Sequence, residues 1–253
     1  MPSPSLRPLL VVTGGSRGIG AATAVTAAQR GYDVLLSYRS RGDRAEEVVA
    51  ACTSAGARAL AVAADVGVEA DVMALFASAD EHFGRVDVLV NNAGSLGPQG
   101  RLDSFDAARV TRVLAVNVLG VVLCAREAVR RMSSRYDGRG GAIVNVSSAA
   151  ARLGSPGEYI DYAAAKAAVD TVTVGLAKEV ALEGIRVNAV RPGLIHTDIH
   201  ASGGEAGRVG RLAPLVPMQR GGEAIEVAEA ILWLASDAAS YITGAILDVS
   251  GGR

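Results

Sequence analysis

Short apolar runs alternate with longer helical patterns along almost the whole chain, and this alternation constrains the fold more than any other feature. The runs are rich in Val, Ile and Leu and lack a polar residue at every second position, which is typical of parallel strands buried on both faces. The pattern therefore predicts an α/β fold, a doubly wound seven-stranded parallel sheet flanked by helices. The predicted strands occupy residues 9–14, 33–39, 59–66, 86–94, 141–148, 185–193 and 244–252.

No linker, repeat or low-complexity segment interrupts the alternation, which predicts one domain over residues 9–253. The opening "MPSPSLRP" lacks the apolar centre of a signal peptide, so residues 1–8 are predicted to form a disordered tail. Residues 197–222 depart from the pattern and are rich in Gly and Pro. A segment of this length in a compact domain is typical of a substrate lid, and the alternative is an ordinary surface loop.

The composition argues against several classes of partner. The 253 residues carry a net charge of -1 and a pI of about 6.3, so we expect no binding to nucleic acid or to a membrane surface. No apolar run approaches the roughly 20 residues of a membrane-spanning helix. The three histidines and two cysteines show no zinc-ligand spacing, so no metal is expected. Two cysteines are also too few for a disulfide framework, which favours the reducing cytoplasm.

The stretch "VVTGGSRGIG", residues 11–20, fits two kinds of active site. Residues 14–18 match G-x-S-x-G, the turn that presents a nucleophilic serine in α/β-hydrolases. The same glycines also form a turn that lets backbone amides approach a phosphate at a helix N-terminus. Only one predicted strand precedes Ser16, so a hydrolase would lack the earlier strands that complete its oxyanion hole. The position in the first strand–helix unit therefore favours a nucleotide-binding turn.

Tyr162 and Lys166 are four residues apart in a helix predicted to begin near Gly157, so their side chains share one face. At an effective dielectric near 20, an ammonium about 4–6 Å from a phenol favours the phenolate by about 3–4 kcal/mol. We therefore expect Lys166 to lower the pKa of Tyr162 towards neutral pH and to make the pair a general acid/base. Tyr159 is a competing tyrosine, but position 163 is Ala, so Tyr159 lacks a lysine at the same spacing.

Four blocks together resemble a known family: "TGGSRGIG" at 13–20, "NNAG" at 91–94, "YAAAK" at 162–166 and "RPG" at 191–193. In order and spacing they are similar to the short-chain dehydrogenases/reductases, from about Leu9 to the end of the chain. The resemblance implies a Rossmann-type fold in a single domain. The residues that it implies for catalysis are Asn117, Ser148, Tyr162 and Lys166.

The resemblance also implies roles for two of these residues. Ser148 would hydrogen bond the substrate oxygen, although it lies fourteen residues before Tyr162, one more than in the simplest members of the family, which leaves Ser147 as an alternative. Asn117 would anchor a water that leads to Lys166 in a proton relay. The alternative for Asn117 is a core amide with satisfied hydrogen bonds.

The cofactor preference can be argued from the end of the second predicted strand, "LLSYRS". NAD-binding sites place an acid there for the ribose 2′-hydroxyl, whereas this chain has Arg39. Arg17 in the glycine turn adds a second cation, so we expect NADP(H) rather than NAD(H). The predicted cofactor contacts are Gly14, Ser16, Arg17, Gly18, Ile19, Gly20, Arg39, Asp65, Val66, Asn91, Ala93, Gly94, Tyr162, Lys166, Pro192, Gly193, Ile195 and Thr197.

Within this set, the resemblance implies that the side chain of Asp65 accepts from the adenine amino group, and the alternative is a helix N-cap. Asn91, Ala93 and Gly94 would line the adenosine ribose. The nicotinamide pocket would be shaped by Pro192, Gly193, Ile195 and Thr197.

These features predict an NADP(H)-dependent oxidoreductase that interconverts a ketone or aldehyde with an alcohol. Two alternatives remain: a 3-oxoacyl-carrier-protein reductase, and a non-catalytic nucleotide-binding sensor or scaffold. Arg126, Arg130 and Arg131 could form a carrier-protein docking surface, whereas Glu183 stands where a basic residue would be expected. The resemblance further implies a homotetramer or homodimer that acts on a small-molecule substrate.

Overall fold

A computed structural model describes residues 7–253. Within them, seven parallel strands form one sheet in the order β3-β2-β1-β4-β5-β6-β7. This order confirms the predicted doubly wound, Rossmann-type α/β fold and its seven-stranded parallel sheet. The strands are β1 (Leu9–Val12), β2 (Asp33–Tyr38), β3 (Ala59–Ala63), β4 (Val88–Asn91), β5 (Gly141–Val146), β6 (Ile185–Pro192) and β7 (Ile246–Val249).

The helices flank the sheet, and the one that carries the predicted catalytic pair begins three residues later than expected from Gly157. The helices are α1 (Gly18–Gln29), α2 (Gly42–Ser54), α3 (Glu69–Phe83), α4 (Ala107–Leu114), α5 (Gly120–Met132), α6 (Ala150–Leu153), α7 (Ile160–Val180), α8 (Ile199–Ser202), α9 (Arg208–Leu212) and α10 (Ala224–Ala235). A π-helical segment, Ala115–Leu119, joins α4 to α5 without a break.

Both faces of the sheet are buried, which explains why the strand sequences lack polar alternation. Successive β1 side chains point to opposite faces: Leu9 and Val11 belong to one buried cluster, and Leu10 and Val12 belong to the other. All four side chains are 0% exposed. Each face therefore contributes a separate hydrophobic core beneath its own layer of helices.

The disordered tail predicted for residues 1–8 includes two residues that are ordered in the structure. Residues 1–6 lie outside the described part of the chain, whereas Arg7 and Pro8 contact the first βαβ unit. The carbonyl of Pro8 accepts from the Asp33 amide at 2.9 Å, and the Arg7 guanidinium donates to the carbonyl of Gly56. Arg7 and Pro8 are therefore ordered, because strand pairing begins before the apolar run does.

Residues 197–222 form a compact element that contains two short helices, α8 and α9. Val209, Leu212 and Val216 pack with Leu194 in a small cluster of their own. A parallel bridge between Ile195 and Gly222 joins the two ends of the segment. The segment has local structure despite its Gly and Pro content, and it is called the 197–222 segment below.

The segment Ala107–Met132 runs through α4, the π-helical segment and α5, and it contradicts the expectation that no apolar run approaches membrane-spanning length. An 18-residue window within it has a mean hydropathy of 1.7. Its inward side chains, among them Leu123 and Met132, pack with Leu89 and Ile143 in the sheet core. We therefore assign this segment as a helix that packs in the protein core against the sheet.

The strand order reverses between β1 and β4, which are neighbours in the sheet but not in sequence. In open α/β sheets, ligands bind in the crevice outside the carboxyl ends of the strands at such a point. The glycine turn follows β1 and the "NNAG" block begins at the end of β4. Sheet topology therefore brings these two distant motifs to one crevice.

Candidate active site

The glycine turn leads from β1 into α1 and leaves the N-terminus of that helix open. Gly14 and Gly18 have φ angles of +65° and +55°, in the left-handed region that glycine tolerates. No side chain caps the helix and no acidic residue lies in its first turn. The first amide donors therefore lack a side-chain acceptor, and the positive end of the helix dipole favours an anion such as a pyrophosphate.

Asn92 holds the glycine turn in place. Its Nδ2 donates to the carbonyls of Thr13 at 2.9 Å and Gly14 at 3.0 Å. In return, the Thr13 hydroxyl accepts from the amides of Asn92 and Ala93, each at 3.0 Å. These bonds lock the end of β1 to the end of β4, so the two walls of the crevice have a fixed separation.

The predicted catalytic residues meet where β5 ends beside α7. Lys166 is 2% exposed, and its Nζ donates to the carbonyl of Val146, the last residue of β5, at 2.8 Å. The Ser147 hydroxyl donates back to the carbonyl of Lys166 at 3.2 Å. This reciprocal pair anchors the helix to the strand, so that Ser148, the next residue, lies beside Tyr162.

The geometry distinguishes Ser147 from Ser148. The Ser147 side chain is buried and bonds the helix backbone, whereas the Ser148 hydroxyl lies near enough to the Tyr162 phenol to lower the pKa of that phenol. The Ser148 hydroxyl also accepts from the Ala150 amide at 3.1 Å, which orients it. The additional residue between Ser148 and Tyr162 therefore does not move the serine out of reach, and the structure favours Ser148.

The pKa of Tyr162 changes in the direction opposite to the one expected from the sequence. Burial raises the pKa of the Tyr162 phenol to about 12, although the hydrogen bond from Ser148 lowers it in part. Burial also lowers the pKa of Lys166 to about 8, against the attraction of Asp170. The Lys166 Nζ lies 5.5 Å from the centre of the Tyr162 ring and points to the Val146 carbonyl. The expectation was wrong because burial of the phenol raises its pKa, while the Lys166 ammonium is directed to the Val146 carbonyl.

Asn117 lies in the π-helical segment and is 0% exposed. Its Nδ2 donates to the carbonyls of Ser95 at 2.9 Å and Val113 at 2.8 Å, and its Oδ1 accepts from the Ser95 amide. A Cβ added at Gly94 would lie 3.1 Å from the Asn117 Oδ1 and 3.8 Å from the Lys166 Nζ. Asn117 is therefore close to Lys166, with its amide satisfied, and its role in a water relay stays a prediction.

A single cleft of about 510 Å³ joins the glycine turn to the Ser148–Tyr162 wall. Gly20, Asn91 and Asn117 are the predicted site residues that do not line it. The predicted site residues that line it are Gly14, Ser16, Arg17, Gly18, Ile19, Arg39, Asp65, Val66, Ala93, Gly94, Ser148, Tyr162, Lys166, Pro192, Gly193, Ile195 and Thr197.

Two of the three exceptions support the cleft from behind. The Asn91 side chain is 2% exposed and donates to the Asn145 Oδ1 at 2.9 Å, across β4 and β5. The second asparagine of "NNAG", Asn92, lines the cleft instead. Gly20 lies under the turn, where a Cβ would be 2.4 Å from the carbonyl oxygen of Gly14. The sequence could not separate Asn91 from Asn92 because adjacent residues at a strand end point in opposite directions.

At the far end of the cleft, no carboxylate follows β2. Arg39 occupies that position, with its side chain 61% exposed and its Nη1 4.0 Å from the Asp65 Oδ2. Arg17 is exposed, and among residues 7–253 no ion pair involves it. Ser37 also lines this part of the cleft, and its hydroxyl accepts from the Gly14 amide at 3.2 Å.

Asp65 is not the N-cap of α3, which was the alternative for this residue. The N-cap is Val68, and the Asp65 Oδ1 instead accepts from the Gly67 amide at 2.9 Å. This short turn leaves the carboxylate at the cleft wall beside Arg39. This end of the cleft therefore presents arginine side chains beside the carboxylate of Asp65.

Sequence reasoning missed how the 197–222 segment is attached to the cleft. The Tyr159 hydroxyl donates to the carbonyl of Gly203 at 3.1 Å, and the Arg208 guanidinium lies 5.4 Å from the centre of the Tyr159 ring. Arg208, whose side chain is 10% exposed, also pairs with Glu158. One sequence feature could have indicated this attachment. Tyr159 lies near the predicted site but has no lysine partner, and its hydroxyl instead supports the 197–222 segment.

Comparisons with known proteins identify relatives over almost the whole chain. Residues 14–253 match the family model described as enoyl-(acyl carrier protein) reductase. An uncharacterized oxidoreductase of Escherichia coli is 55% identical over 97% of this chain and 99% of its own length. A cis-4-hydroxycyclohexanecarboxylate dehydrogenase of Sinomonas cyclohexanicum is 45% identical over 96% of this chain and 94% of its own.

Solved structures agree with these relatives. A 3-ketoacyl-(acyl-carrier-protein) reductase from Brucella melitensis in complex with NADH has a TM-score of 0.89 at 35% identity, over 98% of this chain and 99% of its own. A blue fluorescent protein from a metagenomic library, in complex with NADPH, has a TM-score of 0.88 at 33% identity, over 97% of each chain. With the Ser148–Tyr162–Lys166 wall facing a glycine turn across one cleft, these similarities show that the chain is an oxidoreductase of the short-chain dehydrogenase/reductase family.

Proposed function

We propose that the protein interconverts a small ketone or aldehyde with the corresponding alcohol and uses NADP(H). The observation that carries this proposal is the shared cleft, in which Ser148, Tyr162 and Lys166 face the open N-terminus of α1. The relative from Sinomonas cyclohexanicum is a dehydrogenase of a cyclic secondary alcohol by its name, and this supports the proposed class of substrate.

The residues of the cleft divide the chemistry between them. A bound nicotinamide dinucleotide would supply the hydride for reduction or accept it for oxidation. Tyr162 donates its phenolic proton to the carbonyl oxygen, and Ser148 donates a hydrogen bond to the same oxygen as its negative charge develops. Lys166 stabilises the phenolate that remains, because an ammonium favours the charged form of a neighbouring acid.

The preference for NADP(H) rests on the charges beside β2. A 2′-phosphate would meet Arg39 and Arg17 and no repelling acid at the strand end. Asp65 is the nearest carboxylate to Arg39, and at 4.0 Å it leaves the guanidinium able to pair with a second anion. Hydrogen bonds between a guanidinium and a phosphate are charge-assisted and can be bidentate.

A carbonyl panel assayed with NADPH and NADH tests both parts of the proposal. We expect the wild type to reduce small cyclic and aliphatic ketones and to prefer NADPH. Arg39→Ala should raise the KM for NADPH by about tenfold and leave that for NADH unchanged, because one exposed charge-assisted bond is lost. Arg44→Ala, which removes an exposed arginine paired with Glu47 on α2, is the matched control. Preference for NADH, or cofactor binding without any turnover, would refute the corresponding part.

Reduction of a β-ketoacyl group on a carrier protein is the second candidate, and the Brucella melitensis neighbour favours it. Docking of an acidic carrier protein needs exposed, unpaired basic residues. The three arginines of α5 are already paired with acids: Arg126 with Glu69 and Glu127, Arg130 with Glu127, and Arg131 with Asp80 and Glu127. We therefore favour free small carbonyl compounds, and a carrier-linked β-ketoacyl substrate belongs in the same panel.

The pKa values in the cleft predict different pH dependences for the two directions. Reduction needs a protonated Tyr162, and a pKa of about 12 keeps the phenol protonated at neutral pH. Reduction also benefits from a charged Lys166, which loses its proton as the pH rises through about 8. We expect kcat/KM for the cofactor, which reports the free enzyme, to be level at low pH and to fall through about pH 8. Alcohol oxidation needs the phenolate and should rise with pH.

Initial rates at constant ionic strength, from about pH 6 to 10, measure both profiles. In the variant Lys166→Arg, the positive charge persists over this range because a guanidinium does not lose its proton. Any reduction activity that this variant retains should therefore not fall near pH 8. A wild-type reduction profile that stays level to about pH 10 would contradict the assignment.

We also propose a homotetramer or homodimer in the reducing cytoplasm. Leu247 on β7 and Trp233 on α10 are 38% and 42% exposed, and a subunit interface over these two elements would remove both side chains from water. Cys52 and Cys124 are both free and buried, which agrees with a reducing compartment. Analytical ultracentrifugation measures the oligomeric state.

A further inference from the structure

The first turn of α7, directly before the catalytic tyrosine, contains a buried ion pair that the chemistry above does not use. The Arg109 Nε donates to the Asp161 Oδ2 at 2.8 Å, and its Nη2 donates to the Asp161 Oδ1 at 3.3 Å. The two side chains are 14% and 2% exposed. A buried charge pair of this kind costs desolvation free energy, so it is weak as a general stabiliser and calls for a more specific explanation.

Asp161 connects this ion pair to the catalytic residue. Its Oδ1, which also accepts from the Arg109 guanidinium, accepts from the backbone amide of Tyr162 at 2.9 Å. The amide belongs to the first turn of α7, where helix donors have no partner within the helix. The position of the Tyr162 backbone is therefore determined by a carboxylate that Arg109 holds with two hydrogen bonds.

Arg109 is itself held from three further directions. Its Nη1 donates to the carbonyl of Pro98, and its guanidinium carbon lies 3.4 Å from the centre of the Phe105 ring. A Cβ at Gly97 would lie 2.8 Å from the Arg109 Nε, so only glycine allows the chain to pass this closely. The guanidinium therefore has little freedom to move.

The segment 97–100, part of which packs against Arg109, also contacts the start of α7 directly. The Gly100 amide donates to the carbonyl of Glu158 at 3.1 Å. Ser95 and Leu96, just before this segment, line the cleft opposite Tyr162. Arg109 thus joins one wall of the cleft to the helix that carries the phenol of the other wall.

We propose that Arg109 and Asp161 are positioning residues that set the distance from the Tyr162 phenol to the substrate oxygen. Neither side chain lines the cleft, so both act through the Tyr162 backbone. Proton transfer depends steeply on this distance, and a misplacement of about 1 Å can cost about 100-fold in rate. The inference rests on the proposed function, because it assigns these residues to the proton transfer of that reaction.

Two variants test the pair without removing its bulk. Arg109→Lys keeps the positive charge but loses the planar fork and the stacking on Phe105. Asp161→Asn keeps an acceptor for the Tyr162 amide but loses the charge that holds Arg109. For both we expect kcat for carbonyl reduction to fall by about 10- to 100-fold, while the KM for the cofactor stays within about twofold. The solvent deuterium isotope effect on kcat should increase, because proton transfer becomes more rate-limiting.

The pair formed by Asp33 and Arg58 provides a matched control. The Asp33 carboxylate is 2% exposed, and it accepts from the Arg58 backbone amide at 2.9 Å and from the Arg58 Nε at 2.7 Å. It thus combines a backbone amide with a guanidinium, as Asp161 does, but lies outside the cleft lining. Asp33→Asn should lower the thermal midpoint and leave kcat and the isotope effect unchanged.

The outcomes separate this inference from the proposed function. If the wild type reduces none of the carbonyls, the proposed function fails. If the wild type is active and folded Arg109→Lys matches it in kcat and isotope effect, the positioning role alone is refuted. If the pair variants lose kcat but their isotope effect stays at the wild-type value, the pair has a purely structural role. Should Asp161→Asn fail to fold, Arg109→Lys decides the question.

Discussion

Replacing Tyr162 with phenylalanine should lower the turnover of carbonyl reduction by about 10²- to 10⁴-fold, the range typical of a general acid. In the proposed mechanism the phenol is the proton donor, and Ser148 and Lys166 lie near it. Phenylalanine keeps the ring and its packing, so the fold and the cofactor site should be preserved. Steady-state kinetics measure the loss, and fluorescence titration with NADPH measures cofactor binding, which should stay within about twofold of the wild type.

Tyr159→Phe is the matched control, because it removes a phenolic hydroxyl from a tyrosine three residues earlier in the chain. Its hydroxyl bonds the carbonyl of Gly203 in the 197–222 segment rather than a reacting atom. We expect a change of less than about tenfold, mainly in the KM for the carbonyl substrate, since one neutral hydrogen bond is lost. Undiminished turnover of Tyr162→Phe, or an equal loss in both variants, would reject Tyr162 as the acid.

Gly20→Ala should nearly abolish cofactor binding although Gly20 itself does not line the cleft. A Cβ at this position would lie 2.4 Å from the Gly14 carbonyl oxygen and 2.5 Å from the Asn92 Nδ2. The glycine turn must therefore move, and the Asn92 bonds that hold it must break. Each charge-assisted hydrogen bond lost to the pyrophosphate weakens binding by about 10- to 100-fold. Overpacking should also lower the free energy of unfolding by about 1–3 kcal/mol.

Isothermal titration with NADPH and chemical denaturation measure these two effects separately. Gly175→Ala is the control, because Gly175 lies within α7 and no heavy atom lies within 4 Å of its added Cβ. That substitution should leave cofactor affinity unchanged and raise the free energy of unfolding by about 0.5–1 kcal/mol. Normal NADPH affinity in a folded Gly20→Ala protein would show that the glycine turn is not the pyrophosphate site.

The parts of the site that the sequence predicted correctly are those within one element. Tyr162 and Lys166 share a face of α7 because four residues make about one helical turn. Gly14 and Gly18 have the positive φ angles that a turn from strand to helix requires. The strands were recognisable because burial on both faces removes the polar alternation. In each case, chain geometry over a few residues determines the arrangement.

The features that the sequence left undetermined depend on contacts between elements. Asn91 and Asn92 are the same residue type, but the Asn91 side chain bonds Asn145 on β5, whereas Asn92 lines the cleft. The sequence set Tyr159 aside because it has no lysine partner, but only the structure shows that its hydroxyl bonds Gly203 of the 197–222 segment. The partner of Asp161 is Arg109, 52 residues earlier in the chain. No local spacing predicts such a pair.

The amino-acid sequence by itself determined the doubly wound parallel fold, the glycine turn at its first strand and the Tyr162–Lys166 pair, because local periodicity and backbone geometry suffice for these. Only the tertiary structure decided that the pKa of Tyr162 rises, since burial is a property of the whole packed chain. Packing also decided that Ser148 rather than Ser147 faces the phenol, and that Arg109 and Asp161 hold the start of the catalytic helix. These arrangements arise where separate elements meet, and register and burial there depend on all of them together.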